Sequence, residues 1–348
     1  MREAVFAIPG DLATPTGGYR YDRRVIDELQ TLGWKLRALA LPGDFPSPSV
    51  ASLKKTEALL ATTAEKAPVF FDGLAFGAIP AEILARVPRR YVALVHHPLA
   101  LETGLSAERA AYLRESERAA LALAVGVVVT SAATKDLLIS DFAVPAKKIT
   151  VAEPGTEASP RARGSDGVPR LLSVGAVSPR KGFRTLVEAL SEIAALDWQC
   201  RIAGSLDRDR AETARLRERI AAAKLDARVI FLGTLAEAEL EAEYDRATLF
   251  VLPSHFEGYG MAFAEALAHG LPVVACSGGA TAATVPAEAG VFVPAGDAKT
   301  LAAALRRLLS NPAEIRERAD AAWAHAKNLP RWRDTAARIA VVLEEAAA

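Results

Sequence analysis

The run VLPSHFEGYGMAFAEALAHGLPVVAC, residues 251–276, decides how the rest of the chain is read. It begins as the end of an apolar strand, Leu249 to Leu252, which stops at Pro253-Ser254. A tight Glu257-Gly258-Tyr259-Gly260 turn follows, and then a helical spacing of Met261, Phe263, Ala264, Leu267 and Ala268. Gly270 closes that helix, and Leu271-Pro272 leads into a second buried strand, Val273 to Ala275. A strand–loop–helix–strand unit of this kind belongs in an open parallel sheet, where ligands bind beyond the carboxyl ends of the strands.

Two carboxylates occupy sensitive places in this unit. Glu257 lies in the loop just before the helix, and Glu265 lies about one turn inside it on the Met261 side. Gly258 and Gly260 let the backbone approach a ligand closely and aim N–H groups at it. The stretch thus offers amide donors for a phosphate or sugar and carboxylate acceptors for hydroxyls. A carboxylate favouring the helix dipole, plus a solvated glutamate, would explain either residue alone, but the whole constellation is harder to explain that way.

Outward from this unit, strand-like and helical runs alternate along the chain, which predicts an α/β fold with doubly wound sheets. Strands are expected at 4–8, 35–41, 69–71, 91–95, 125–130 and 149–151. A second series is expected at 170–174, 199–203, 229–232, 249–252, 273–275 and 291–293. Between the two series, EPGTEASPRARGSDGVP at 153–169 is rich in Pro, Gly and Ser and lacks an apolar period. It divides a first domain, 1–155, from a second, 168–330. At 348 residues the chain suits two domains better than one.

Composition narrows the function classes. Hydrophobic residues at 51% with charged residues at 24% describe a globular protein with a large core. Lys plus Arg equals Asp plus Glu at 42 each, so no overall field draws the chain to nucleic acid. Cys200 and Cys276 both sit in apolar strands, as reduced cytoplasmic thiols would. The opening MREAVFAIPG is too short an apolar run for a signal peptide and reads as the first strand. The most apolar segment, 119–129, is roughly half of a bilayer span. Arg86, Arg89 and Arg90 form a small basic cluster of the kind that meets a membrane surface, although a solvated helix end is the plainer reading.

Three further loops carry chemistry. In PGDLATPTGGYR, Gly17 and Gly18 stand between strand and helix, where backbone amides meet phosphates, although turn geometry alone also explains them. His96 and His97 end an apolar strand at a carboxyl edge, and adjacent strand residues point to opposite faces, which argues against a shared metal. In GAVSPRKG, 175–182, Arg180 and Lys181 precede a helix N-terminus, where cations oppose the dipole unless an anion sits there. A diphosphate would be such an anion, with Lys181 as a point charge. Asp207-Arg208-Asp209 has the spacing of a metal-binding D-x-D, but it precedes a charged helix and is better explained by capping. No metal is expected.

Glu257 and Glu265, in the setting S-x-x-E-G-[FY]-G with E-x7-E, resemble the retaining glycosyltransferases of family 4. LLSVGAVSPRKGF at 171–183 and VIFLGTL at 229–235 extend the similarity over nearly the whole length. The resemblance implies the GT-B architecture, two Rossmann-like domains facing across a cleft, with the last helix, 331–348, packing back on the first. It implies a nucleotide-sugar donor, an acceptor hydroxyl on an unidentified small molecule, glycan or lipid bound by the first domain, and no cofactor. By the same resemblance Gly17 and Gly18 approach the donor's distal phosphate, and His96 and Glu257 hold its sugar. Lys181 and Arg180 face the diphosphate, Gly233, Thr234 and Leu235 line the base, and Glu265 takes the ribose. Gly258, Tyr259, Gly260 and Met261 frame the donor. The family's arginine directly after the first glycine is here Ala176. Either Arg180 replaces it or the donor is held by one cation fewer.

Three rivals remain at this level. A nucleotide-sugar epimerase or a phosphorylase shares the architecture, and a non-catalytic sugar-nucleotide-binding protein would explain Ala176. A dinucleotide oxidoreductase lacks its G-x-G-x-x-G after the first strand.

Overall fold

The computed structural model describes residues 2–348 and divides the chain into two compact units, Met1–Gly155 with Pro330–Ala348, and Thr156–Leu329. Each unit is built on a six-stranded, wholly parallel sheet.

In the first unit the strands are β1 (Arg2–Pro9), β2 (Trp34–Leu41), β3 (Pro68–Asp72), β4 (Arg90–Val95), β5 (Gly126–Val129) and β6 (Ile149–Val151). Their order is β2-β1-β3-β4-β5-β6. The sequence reverses direction across the sheet between β1 and β3, and the loops leaving those two strands therefore part and leave room at the carboxyl edge. Strands covered on both faces read as unbroken apolar runs, and β3, PVFFD, is buried throughout. Phe70 and Phe71 serve its two faces, and the latter joins Phe76 and Tyr91 in an aromatic cluster.

The helix Trp332–Ala347 belongs to this unit although it follows the whole second unit in sequence. Trp332 packs edge-on against Tyr21 at 5.7 Å, and the Thr335 hydroxyl donates to the Glu153 carbonyl at 2.6 Å. Arg90 donates to the carbonyl of Ala346 at 3.0 Å, Arg86 pairs with Glu57 at 2.7 Å, and Arg89 donates to Thr63 at 2.9 Å. The basic cluster seen in the sequence is thus engaged with its own chain, which weighs against the membrane reading. Among the described residues, no helix is long and apolar enough to cross a membrane.

The second unit contains β7 (Arg170–Val174), β8 (Gln199–Ala203), β9 (Val229–Gly233), β10 (Leu249–Leu252), β11 (Val273–Cys276) and β12 (Gly290–Val293). Their order is β12-β11-β10-β7-β8-β9, with the reversal between β10 and β7. Its core gathers Leu172, Phe250, Phe263, Trp198 and Leu305. Asp209 caps the helix Arg210–Ala222 by accepting from the Glu212 amide at 2.8 Å, while Asp207 pairs with Arg210. The D-x-D spacing is therefore accounted for by capping. Residues 152–169 contain no helix or strand, because no apolar period is present to form one.

Glu117, on the helix Ala107–Leu123, is only 1% exposed, and it accepts from the Leu99 amide at 2.9 Å. Burial raises its pKa to about 8, outweighing that hydrogen bond. A carboxyl raised in the folded state gives stability that is full below its unfolded value of 4.5 and is lost as pH rises through 8. The loss runs at about 1.4 kcal/mol per pH unit inside that window. Glu117→Gln, which cannot ionise, should unfold with a flatter pH dependence between 5 and 8 in urea titrations. Parallel slopes for the variant and the parent would exclude Glu117 as the source.

Candidate functional site

The reversal between β7 and β10 brings two loops of the second unit together. From β7 the chain runs through Gly175 and a short 3-10 turn, Pro179–Lys181, into the helix Phe183–Glu192. From β10 it runs through Pro253 to Gly260 and into the helix Met261–Ala268. The loops are stitched by their backbones: the His255 amide donates to the Arg180 carbonyl at 2.8 Å, and Arg180 Nη1 donates to the Phe256 carbonyl at 2.8 Å.

Glu257 lies between the two cations. Lys181 Nζ donates to its Oε1 at 2.7 Å, and Arg180 Nη1 stands 3.3 Å from Oε2. The carboxylate is 7% exposed, and burial alone would raise its pKa. Lys181 and then Arg180 outweigh burial and bring it down to about 2. Its contribution to stability is therefore present above the unfolded value of 4.5 and is lost as pH falls toward 2. The anion that the sequence requires beside these cations is, in part, the protein's own. Both neighbouring helices begin at a glycine, Gly182 and Gly260, with no side-chain cap on their first-turn amides. Cations and helix N-termini so arranged favour an anion placed between them.

Glu265 lies on the helix Met261–Ala268, partly exposed, and shares a hydrogen bond of 3.0 Å with the Tyr244 hydroxyl. Tyr244 stacks on His269 with ring centroids 4.9 Å apart, and His269 Nε2 stands 3.1 Å from Glu241. Glu265 is therefore held by Tyr244, a contact 21 residues away that the sequence did not disclose. Gly258 and Met261 are partly exposed, whereas Tyr259 and Gly260 are buried. Gly233 ends β9, and Thr234 and Leu235 follow in the loop before the helix Glu237–Asp245, with Thr234 exposed. Ala176 is partly exposed just past β7.

In the first unit, the reversal between β1 and β3 collects a different group. Gly17 and Gly18 are not in the loop but in the first turn of the helix Gly17–Thr31, whose N-cap Thr16 accepts from the Tyr19 amide at 3.3 Å. A Cβ on Gly18 would lie 3.5 Å from the His96 ring, so this turn passes directly over the histidine. His97 turns the other way, its Nε2 3.5 Å from Glu102. His96 Nε2 points inward, 3.4 Å from Asp22 Oδ1 and 3.5 Å from Asp72 Oδ2. Asp22 and Asp72 are 0% and 2% exposed. Burial disfavours a charged ring, but attraction to the two aspartates prevails and raises the His96 pKa to about 10. Burial, and then the nearby Asp72, raise Asp22 to about 7.

The sequence reading missed both aspartates. A signal was present, since Asp22 falls on the same helical face as Val25 and Leu29, and Asp72 closes the apolar run PVFFD. A charge at a core-facing position is costly unless paired. The three groups also have the donor types of a metal site, which no sequence spacing suggested.

Residues 156–324 match the family model described as Glycosyl transferases group 1. Among curated proteins, the chain is 30% identical over 166 residues to mannosylfructose-phosphate synthase of Agrobacterium fabrum, an alignment covering 42% of this chain and 37% of that protein. It is 27% identical to the MMP alpha-(1->4)-mannosyltransferase of Mycolicibacterium hassiacum, over 87% of this chain and 76% of the other. Except for that longer alignment, the chain spans about half, or less, of the length of the first curated relatives it matches. Among solved structures, sucrose-phosphate synthase from Thermosynechococcus elongatus superposes with a TM-score of 0.85 at 22% identity, covering 99% of both chains. Anabaena Alr3699/HepE, solved in complex with UDP-glucose, superposes with a TM-score of 0.80 at 18% identity, covering 99% of this chain and 100% of that one. Residues 156–324 are thus similar to a glycosyl transferases group 1 domain, and the chain shares the fold of these solved structures.

Proposed function

We propose that the protein transfers a sugar from a nucleotide-sugar donor to an acceptor hydroxyl, with retention of anomeric configuration and without a divalent metal. The observation that carries this reading is the convergence of Lys181, Arg180 and Glu257 on two uncapped helix N-termini at the strand reversal of the second unit. A departing nucleoside diphosphate gains charge in the transition state. A cation and a set of amides already fixed in place stabilise that charge without reorganising. In this reading Lys181 and Arg180 receive the diphosphate, Glu257 orients both cations and accepts from a sugar hydroxyl, and Glu265 accepts from the ribose. His96 is read as a residue for a donor-sugar hydroxyl. The acceptor is a small molecule, glycan or lipid still to be identified, and the expected compartment is the cytoplasm.

A panel of nucleotide sugars screened by thermal shift, followed by mass spectrometry of the products and NMR of the new anomeric centre, tests the proposal. Donor consumption with water as the only acceptor, or no binding to any nucleotide sugar, would count against transfer. Glu265→Gln supplies a finer test. The amide still accepts one hydrogen bond but loses the charge, so nucleotide affinity should fall by about 1–3 kcal/mol in calorimetry. Tyr244→Phe leaves the carboxylate in place and should cost less. Equal affinities for Glu265→Gln and the parent would reduce Glu265 to a partner of Tyr244.

A further inference from the structure

The cluster around His96 holds more charge than a core requires. A buried network kept only for stability satisfies each of its polar atoms, because an unsatisfied one is expensive at low dielectric. Here both carboxylate oxygens of Asp22 and the Nε2 of His96 are buried without a well-formed hydrogen bond. The distances of 3.4 and 3.5 Å explain this: one Nε2 proton lies between two oxygens and is aligned with neither. The attraction is that of an ion pair rather than of a directed bond.

We propose that Asp22 and Asp72 are positioning residues that keep His96 a cationic hydrogen-bond donor, its Nε2–H committed inward and its Nδ1–H left as the ring's one remaining polar group. The proposal rests on the reading of His96 as a donor-sugar residue and gives that contact its charge state. The ring is 21% exposed, and even a Cβ at Gly18 would lie 3.5 Å from it, so a ligand at this carboxyl edge meets the imidazole directly. A neutral ring would present Nδ1 as an acceptor or a donor according to tautomer. A ring charged by two carboxylates presents a donor at every pH the protein meets. Such a group suits a sugar hydroxyl oxygen or a phosphate oxygen.

Few other groups surround the ring. Asp22 and Tyr21 face it from the helix Gly17–Thr31, and Asp72 faces it from the end of β3. After β5, the Thr130 hydroxyl donates to the His96 carbonyl, and Trp332 stands behind Tyr21. One imidazolium and two ionised carboxylates sum to −1, so an additional shared proton makes the cluster neutral. The elevated pKa of Asp22, about 7, is consistent with that proton being held up to neutrality.

Full-length protein labelled with 15N and 13C on histidine, titrated from pH 5 to 10, tests the proposal. The His96 ring is identified by the loss of its signals in His96→Gln. In the parent the ring should stay an imidazolium to at least pH 9. In Asp22→Asn and Asp72→Asn it should deprotonate at least one pH unit lower, and the double variant should be neutral at pH 7, because burial then acts unopposed. With whichever donor the nucleotide-sugar panel selects, each single variant should gain a basic limb in the pH profile of kcat/KM that follows its His96 titration, with KM for the donor rising along it. A parent ring titrating near 6.5 overturns the proposal, as do variants whose ring titrates like the parent's. Stoichiometric zinc or manganese retained by the parent and lost in Asp22→Asn also overturns it, in favour of a metal site. If a variant fails to fold, the parent titration alone decides. If no donor is ever turned over, the proposed function fails while the titrations still judge the charge state.

Discussion

Lys181→Ala is expected to lower the turnover of sugar transfer about a hundredfold or more, in the range found when one preorganised donor to a developing oxyanion is removed. The ammonium lies 2.7 Å from Glu257 before any ligand arrives, so it is fixed by a partner rather than wandering on its stem. A cation so held acts on the charge of the departing diphosphate, and its loss should appear mainly in kcat. Arg180→Ala should cost less, because this guanidinium stands farther from the carboxylate, at 3.3 Å, and also serves the Phe256 carbonyl. Lys181→Ala also leaves Glu257 buried with one cation in place of two, which should raise its pKa and destabilise the loop above pH 4.5. Measuring kcat, nucleotide affinity and urea stability on the same preparations separates these effects. Near-parental kcat in Lys181→Ala would remove Lys181 from the chemistry.

The second large effect concerns the backbone beneath that lysine. Gly182 has φ +69° and is the N-cap of the helix Phe183–Glu192, and a Cβ there would lie 2.0 Å from the carbonyl oxygen of Pro253. Backbone cannot swing aside as a flexible side-chain tip can, so either loop must move. Gly182→Ala should destabilise the unit by about 3 kcal/mol, a fall in Tm of roughly 6–12 °C. Gly233 provides the control: its φ is also +69°, but nothing lies within 4 Å of its missing Cβ. Gly233→Ala should therefore show the left-handed strain alone, on the order of 1 kcal/mol. Equal losses for the two alanines would mean that the approach of Gly182 to Pro253 is not what the fold depends on.

Much of the architecture is legible in local patterns. The apolar run LFVL at 249–252 is a strand in the structure with those same bounds, and the spacing of Met261 to Ala268 is the helix Met261–Ala268. Boundaries slipped where apolar spacing outlasted the hydrogen bonds. The helix Val50–Ala61 stops short of Ala64, because Thr62 and Thr63 turn their hydroxyls back to the carbonyls of Leu59 and Leu60. Gly17 and Gly18 read as loop residues because glycine marks turns, but Thr16 caps the helix ahead of them and draws both into its first turn.

The sequence alone determined the alternating strands and helices and the residue types at each strand end. These depend on interactions within a few residues, which a linear pattern records. Only the tertiary structure decided which strand ends meet. The sheet order β12-β11-β10-β7-β8-β9 places Lys181 against Glu257 across 76 residues, and the order β2-β1-β3-β4-β5-β6 puts Asp22, Asp72 and His96 in one buried cluster. The sequence could flag Asp22 and Asp72 as charges on apolar faces, but their partner is chosen by strand adjacency. That adjacency is set by the burial of whole sheet faces, a balance summed over the entire unit and written in no single segment.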